Sequence, residues 1–199
     1  MSARLTLKQD TRTLLLEAGT EIMLEKGYTN TGIQEVLLKA GVPKGSFYHY
    51  FASKEEFALA IIESFDTAYV GKLVKVLRNA RRSPLDRLRE YCRGSRADMV
   101  GSKCRKGCLI GNLSQEMADQ SEVLRLALSA VMARRRELFA ACIAEGQVVG
   151  EVKANVEPDK AAELFLSAWE GALMRAKTSK CADSLDICGD YLIEHLLAT

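Results

Sequence analysis

A cysteine at position 108 follows a group of positively charged residues, and this neighbourhood favours chemical reactivity. The segment from Arg81 to Lys106 holds nine lysines and arginines against three acids. Neighbouring cations and a position at the start of a helix favour the thiolate form of cysteine, which attacks electrophiles and oxidants. We therefore predict that Cys108 is a reactive thiol. The cations are Arg81, Arg82, Arg87, Arg89, Arg93, Arg96, Lys103, Arg105 and Lys106, and the acids are Asp86, Glu90 and Asp98.

Other roles for Cys108 and for the remaining cysteines have weaker support from the sequence. Cys104 is predicted to be either a resolving thiol or a bystander, and the alternative for Cys108 is a small buried hydrophobic residue. A zinc site would need two further ligands, and His49 and His195 are distant in sequence, so we predict no metal and no cofactor. An enzyme would need a base near Cys108, and no histidine is close in sequence, so none is predicted. The cysteines expected in cores or interfaces are Cys92, Cys142, Cys181 and Cys188.

The span from Ile33 to Phe51 has the spacing of two short helices joined by a tight turn. Apolar residues recur every three or four positions as far as Ala40, which predicts a helix that ends at Gly41. Glycine adopts the left-handed conformation that ends a helix, and Pro43 fixes the backbone angle at which the next helix begins. This is the layout of a helix-turn-helix.

The second helix of this pair presents a polar face that suits DNA. Phe47 and Phe51 are four residues apart and are predicted to point into a core. The outward residues offer a cation, hydroxyl groups and an imidazole for phosphates or base edges, and Gly45 permits close backbone approach. The alternative is that the aromatic residues here only build a small bundle, without a DNA partner. The predicted outward residues are Lys44, Ser46, Tyr48 and His49.

Helical periodicity extends along the whole chain, so we predict an all-α protein of about nine helices. Asp10 is predicted to cap the first helix. Ser53 with Glu56 three residues later forms a capping box for a long fourth helix. Glycines mark a looser segment over residues 101–111, and Asp119 is predicted to cap the next long helix.

The composition narrows the class of protein. An apolar fraction of 48% and a charged fraction of 27% are typical of a folded globular chain rather than a disordered one. No apolar run approaches the roughly 18 to 20 residues of a membrane span, and Met1 to Asp10 lacks the features of a signal peptide, so a cytoplasmic, nucleoid-associated location is expected. The net charge of +2 does not decide for or against DNA, because DNA binding needs a local basic surface.

Three segments together match a known family. The letters TGI at 31–33, GVPKGSFYHYF at 41–51 and SKEE at 53–56 closely resemble the N-terminal signature of TetR-family transcriptional regulators. The resemblance implies a repressor that releases DNA when an inducer acts on its regulatory domain.

The same resemblance implies that the chain has two domains with different functions. Residues 1–52 would form the helix-turn-helix DNA-binding domain, and residues 53–199 the regulatory and dimerisation domain. It implies that Thr31 faces DNA along with the outward residues given above, that Lys54 faces phosphate, and that Tyr50 is a weaker candidate.

The family forms homodimers through its last two helices, and the apolar stripe from Ala161 to Ala176 suits that role because alanines let helices approach closely. Such a dimer predicts a pseudo-palindromic operator with half-sites about one DNA turn apart. The alternative is that the stripe packs inside its own chain. The predicted interface residues are Leu164, Phe165, Ala168, Ala172, Leu192 and Leu196.

A second likeness concerns the inducer. The letters GCL at 107–109 and NLSQE at 112–116 are similar to a subgroup of the family that responds to reactive electrophiles. This likeness implies that Cys108 is the sensing thiol and that Lys177 neighbours it. Trp169 is a candidate to line a ligand pocket, with simple packing as its alternative. The alternative inducer is a hydrophobic small molecule that binds reversibly.

Overall fold

The structure, a computed structural model, describes residues 2–199 and the side chains of residues 11–199. Nine α-helices occur in this part of the chain, with a 3₁₀ turn at Lys44–Ser46 and a π-helical segment at Tyr191–Leu197. The all-α prediction is therefore confirmed. The helices are α1 (Ser2–Lys26), α2 (Ile33–Ala40), α3 (Phe47–Tyr50), α4 (Lys54–Leu77), α5 (Pro84–Gly101), α6 (Leu109–Met117), α7 (Glu122–Val148), α8 (Pro158–Ser179) and α9 (Asp183–Asp190).

The chain divides into two compact units, each made of two segments. Unit 1 comprises Met1–Thr67 and Leu109–Ser129, and unit 2 comprises Ala68–Cys108 and Ala130–Thr199. Unit 1 thus extends past the domain boundary predicted at residue 52 and adds α6, because side chains of this later segment bind the loop and helix start of the first. The chain passes from unit 2 to unit 1 directly after Cys108.

An aromatic core supports the helix-turn-helix in unit 1. The ring of Phe47 lies 5.5 Å from that of Phe51 and 5.0 Å from that of Phe57, between ring centroids, and all three side chains are buried. Leu15 on α1 and Val36 on α2 are fully buried as well. The periodic apolar positions of the sequence therefore form one hydrophobic core, as the pattern predicts.

The helix ends follow local signals in some places and tertiary contacts in others. The Oγ of Ser53 accepts a hydrogen bond from the Glu56 N–H at 3.0 Å, which confirms the start predicted for α4. For α7 the prediction was wrong: Ser121 rather than Asp119 is the cap, since its Oγ accepts from the Leu124 N–H at 3.2 Å.

Two further helix predictions need correction. Helix α1 begins at Ser2 rather than near Asp10, because neither glycine nor proline interrupts residues 2–10; the side chain of Asp10 lies outside the described residues. The segment predicted to be loose, residues 101–111, includes the first turn of α6, which begins one residue after Cys108.

Unit 2 is a helical bundle with an aromatic centre. Tyr91 on α5, Phe139 on α7, and Phe165 and Trp169 on α8 lie with neighbouring ring centroids 4.8 to 6.3 Å apart. Helix α8 packs mainly against α9. The buried guanidinium of Arg87 donates to the backbone carbonyls of residues 77, 79 and 82, so it fixes the turn between α4 and α5.

No helix within the described residues is both long and apolar enough to cross a membrane. The long helices α4, α7 and α8 carry charged residues throughout their length, consistent with one face that contacts water.

Candidate functional site

The turn between α2 and α3 is held by its own backbone. Gly41 has a φ of +65°, and the amides of Gly41 and Val42 donate to the carbonyls of Leu38 and Leu37 at 3.2 Å. The amide of Ser46 donates to the Pro43 carbonyl at 2.9 Å. The left-handed residue predicted at Gly41 is therefore present, and backbone hydrogen bonds hold the turn in place.

The outward face of the second helix is exposed as the spacing predicts. Tyr48 has 67% of its surface exposed, although Phe47 beside it is fully buried. Ser46 and Tyr50 are half-buried, and Tyr50 packs edge-on against His49 with centroids 4.9 Å apart. The exposed positions are Lys44, Gly45, Tyr48 and His49, and a Cβ added at Gly45 would meet open space.

Two residues assigned to DNA by resemblance have partners inside unit 1. Thr31 is buried, and its hydroxyl donates to the Gly27 carbonyl at 2.6 Å, so it supports the loop after α1 rather than facing DNA. The ammonium of Lys54 donates to the Thr29 carbonyl at 3.1 Å and lies 4.6 Å from the ring centroid of Tyr28. An ammonium has three donors, so a phosphate contact by Lys54 remains a proposal.

A carboxylate near the end of α6 holds the loop that precedes α2. The amides of Tyr28 and Thr29 each donate to Glu116 at 2.7 Å. Burial acts to raise the pKa of Glu116, but the hydrogen bonds from Thr29 and Tyr28 and the charge of Lys54 outweigh it, so the pKa is lowered. The sequence carries no signal for this contact, because the bonded residues lie far apart along the chain.

The position of Gly27 makes this contact possible. Gly27 has a φ of +79°, and a Cβ built on it would lie 2.5 Å from a carboxylate oxygen of Glu116. We refer to Gly27, Tyr28, Thr29 and Glu116 as the α6 latch. The latch joins the end of α6 to the segment that leads into the helix-turn-helix, entirely within unit 1.

In unit 2, Cys108 belongs to a polar cluster that the sequence did not reveal. The guanidinium of Arg135 on α7 donates to its Sγ at 3.7 Å, and the thiol is hydrogen-bonded to the carboxyl group of Glu170 on α8. Arg135 is 5% exposed and stacks on the ring of Tyr69, 4.0 Å from the centroid. The hydroxyl of Tyr69 donates to that of Tyr91 at 3.1 Å. These five residues are the thiol cluster.

The charges around Cys108 differ from those predicted. Its close cation is Arg135, which is distant in sequence, whereas cations of the predicted basic segment pair with acids elsewhere in unit 2. Arg89 pairs with Glu194 at 2.9 Å and Arg96 with Asp186 at 2.5 Å. Burial raises the pKa of Glu170, although the hydrogen bond from Cys108 and the charge of Arg135 oppose it.

The other residues assigned to sensing lie outside the thiol cluster. Lys177 is seven residues after Glu170, two turns along the same face of α8, and burial followed by the charge of Lys180 lowers its pKa. Cys104 is buried in a left-handed conformation, with a φ of +53°. Trp169 is 1% exposed and donates from its indole N–H to Ser95 Oγ at 3.0 Å, so its surroundings favour packing.

The remaining cysteines differ in exposure. Burial raises the pKa of Cys92 to about 12 and that of Cys142 to about 11, which makes both poor nucleophiles at neutral pH. Cys181, predicted in a core or interface, is exposed in the chain, and Cys188 is half-buried.

Some of the residues predicted for the dimer interface are buried within unit 2, and others are exposed or partly exposed. Phe165, Ala172 and Leu192 are buried in the core of unit 2, so they are not available to a partner. Leu164 is exposed, and Ala168 and Leu196 are partly buried. Apolar side chains that the interpretation missed stand exposed on α8, α9 and the segment after it: Met174, Ile187 and Tyr191.

A turn held by backbone hydrogen bonds, an exposed short helix and a supporting aromatic core define a helix-turn-helix DNA-binding unit. Residues 15–61 match the model of bacterial regulatory proteins of the tetR family, and residues 84–189 match the tetracyclin repressor-like C-terminal domain. The chain belongs to the TetR family of transcriptional regulators.

Similar proteins agree with this class. Transcriptional regulator AcuR of Cereibacter sphaeroides is 42% identical over 86% of this chain and 78% of its own. The HTH-type transcriptional repressor DhaR of a Mycobacterium species is 34% identical over 92% and 90%. A crystal structure of Escherichia coli NemR in its reduced form matches with a TM-score of 0.85 at 32% identity, over 95% of this chain and 98% of that one. The chain is thus a transcriptional repressor of the TetR type.

Proposed function

We propose that this repressor leaves its operator when an electrophile or oxidant modifies Cys108. The observation that carries the proposal is the position of the thiol, which is partly exposed and hydrogen-bonded to both Arg135 and Glu170. A nearby guanidinium favours the thiolate, the reactive form. The similar NemR crystal structure is of the reduced form of that protein, which supports a redox-sensitive group in a related chain.

The path from the thiol to the DNA-binding unit is short along the chain. Cys108 directly precedes α6, and the last turn of α6 carries Glu116 of the α6 latch. An adduct on Cys108 is attached directly before the first residue of α6, and a shift of α6 would strain the latch. A coupling of about 1 to 3 kcal/mol is typical between two such sites, and it lowers operator affinity about 5-fold to 150-fold.

A gel shift on the DNA upstream of its own gene tests the thiol. N-ethylmaleimide is expected to release wild-type protein from this DNA, whereas Cys108→Ser protein stays bound at the same dose. The matched control is Cys181→Ser, which removes an exposed thiol outside the cluster and is expected to release like wild type. Salt is held constant, because phosphate contacts make the affinity salt-dependent. Release of Cys108→Ser at the wild-type dose would contradict the sensing role of Cys108, because the reagent would then act at another group. Wild-type protein that stays bound in the reagent would favour reversible binding of a hydrophobic inducer.

We also propose that the working form is a homodimer on a pseudo-palindromic operator, through the outer face of α8 and α9. Leu164 and Met174 on α8, Ile187 on α9 and Tyr191 after it are each at least half exposed. Exposed apolar patches mark interaction sites in soluble proteins. The tetR-family match supports pairing of two copies, and a two-fold dimer presents two DNA-reading helices to two half-sites. The DNA-facing residues proposed are Lys44, Gly45, Ser46, Tyr48, His49 and Tyr50.

Placing a charge in this face is expected to prevent dimerisation. Ile187→Arg buries an unpaired cation in the proposed interface, and such burial is strongly unfavourable. Light scattering at micromolar concentration is expected to give the mass of one chain for this variant and of two for wild type. Val123→Arg, an exposed apolar position at the start of α7, is the control and should keep the dimer. A dimeric Ile187→Arg protein would place the interface elsewhere.

A further inference from the structure

The partner of the Cys108 thiol is a carboxyl group, and a carboxylate beside a thiol can act in two opposite ways. As a fixed negative charge it repels the thiolate and slows the reaction of the thiol with electrophiles. As a base it takes the thiol proton while the sulfur reacts and so speeds that reaction. The two roles predict opposite signs for the same substitution at Glu170.

The geometry favours the second role. The thiol is hydrogen-bonded to the Glu170 carboxyl group and lies 3.7 Å from the Arg135 guanidinium, so a proton acceptor and a cation both contact the sulfur. Arg135 donates to the sulfur from another helix and interacts electrostatically with Glu170. The Arg135 cation therefore offsets the negative charge of the Glu170 carboxylate before proton transfer and that of the Cys108 thiolate after it. Glu170 is partly buried, and that burial raises its affinity for a proton.

The other groups around this pair hold their protons. Tyr69 on α4 lies beneath Arg135, and burial raises its pKa to about 12. Burial also raises the pKa of Tyr91 on α5 well above its ordinary value. Both phenols stay neutral at the pH at which the repressor works, so the titratable exchange in the thiol cluster is between Cys108 and Glu170.

We propose that Glu170 is the proton acceptor of Cys108 and that Arg135 stabilises the thiolate. The inference rests on the proposed role of Cys108 as the sensing thiol. Glu170 thereby becomes a determinant of how fast, and at what pH, the repressor responds.

The step balances with N-ethylmaleimide as the electrophile. The thiol proton moves to Glu170 while the sulfur lone pair forms a bond to one carbon of the maleimide double bond. The π electrons move to the conjugated carbonyl as an enolate, and the proton held by Glu170 is delivered to the neighbouring carbon. The product is a thioether and regenerated Glu170 carboxylate, with no change in the oxidation state of the protein.

The test is the rate at which N-ethylmaleimide modifies Cys108 in the DNA-free protein, between about pH 5.5 and 8.5. Trypsin releases the peptide from Gly107 to Arg125, in which Cys108 is the only cysteine, so mass spectrometry follows this thiol alone. We expect Glu170→Gln to slow the reaction about 100-fold near pH 6.5, the lower end of the range for general-base catalysis. The deficit should shrink as pH rises, because hydroxide then takes over the proton.

A faster or unchanged reaction of Glu170→Gln overturns the proposal, since a carboxylate that only repels the thiolate gives that result. Glu163→Gln, an exposed position on the same helix, is the control and should react like wild type. Modification of the buried Cys142 in the same digest reports any unfolding. Should Glu170→Gln unfold, Glu170→Asp decides: it retains a base and is expected to react more slowly than wild type, with the rate rising over the same pH range, and a rate equal to wild type or above it overturns the proposal.

Failure of this proposal is distinct from failure of the proposed function. The alkylation rate is measured without DNA, and release from DNA is measured on Cys108→Ser without reference to Glu170. If Cys108 is required for release but the alkylation rate does not depend on Glu170, only the proposal that Glu170 is the proton acceptor is wrong. If Glu170→Gln slows the alkylation of Cys108 but release from DNA does not require Cys108, only the proposed sensing role of Cys108 is wrong.

Discussion

Phe47→Ala is expected to lower the free energy of unfolding by about 3 to 5 kcal/mol, the range for truncating a buried aromatic residue, and to abolish operator binding. Phe47 is fully buried and contacts the rings of Phe51 and Phe57. The substitution removes the ring that joins the short α3 to the start of α4. Since α3 has only four residues, it has little helical stability of its own once this support is lost.

Urea denaturation followed by circular dichroism measures the loss of stability, and a gel shift measures the loss of binding. The matched control is the next residue: Tyr48→Ala truncates an exposed ring and should change stability by less than about 0.5 kcal/mol. If Tyr48 contacts DNA, the same variant should bind the operator about 10-fold to 100-fold more weakly, as expected for one lost base contact. Wild-type affinity of Tyr48→Ala would remove this residue from the proposed DNA-facing set.

Gly27→Ala is expected to destabilise unit 1 by about 3 kcal/mol, from two sources. A side chain in the left-handed region costs about 1 to 2 kcal/mol. The added Cβ would also lie 2.5 Å from the Glu116 carboxylate and displace it from the amides of Tyr28 and Thr29, and each such charge-assisted bond contributes about 1.5 to 3 kcal/mol when shielded from water. Partial exposure of the loop reduces that second contribution.

A double-mutant cycle separates the two sources. Glu116→Ala alone should cost about 2 kcal/mol through the lost hydrogen bonds, and much less in the Gly27→Ala background, where those bonds are already broken. Gln115→Ala, at the exposed neighbour of Glu116, controls for the substitution within α6. Fully additive costs would show that the methyl group added at position 27 does not interfere with the Glu116 carboxylate, contrary to the geometry of the α6 latch.

The DNA-binding element was predictable because its determinants are local. Gly41 and Pro43 specify the turn within a few residues, and the four-residue spacing of Phe47 and Phe51 orients the helix between them. Thr31 was the exception in this region. Its hydroxyl is bonded to a carbonyl of the preceding loop, and spacing alone cannot distinguish such a residue from one that faces DNA.

The surroundings of Cys108 were not predictable, because they come from distant parts of the chain. Arg135 and Glu170 belong to two later helices, and no motif ties them to a cysteine near residue 108. The basic segment led to the prediction that Cys108 is the reactive thiol, but arginines of that segment pair with acids elsewhere in unit 2. Counting cations along the sequence therefore did not identify the charged groups that surround this thiol.

Helix α8 shows a different limit of sequence reasoning. It carries apolar residues around most of its circumference, so periodicity does not show which side faces the core of its own unit. The structure buries Phe165 and leaves Leu164 exposed, one position away. The packing of Phe165 against Tyr91 on α5 and Phe139 on α7 decides between them.

The chain contains a single tryptophan, Trp169, and because of its location tryptophan fluorescence and circular dichroism report on different parts of the protein. The indole is sealed in the aromatic centre of unit 2, so intrinsic tryptophan emission reports the melting of that unit and carries no signal from the helix-turn-helix. Far-ultraviolet ellipticity reports the helices of both units. Melting curves from the two signals will coincide if the units unfold together and separate if the DNA-binding unit opens first, which makes the cooperativity of the repressor measurable without any label.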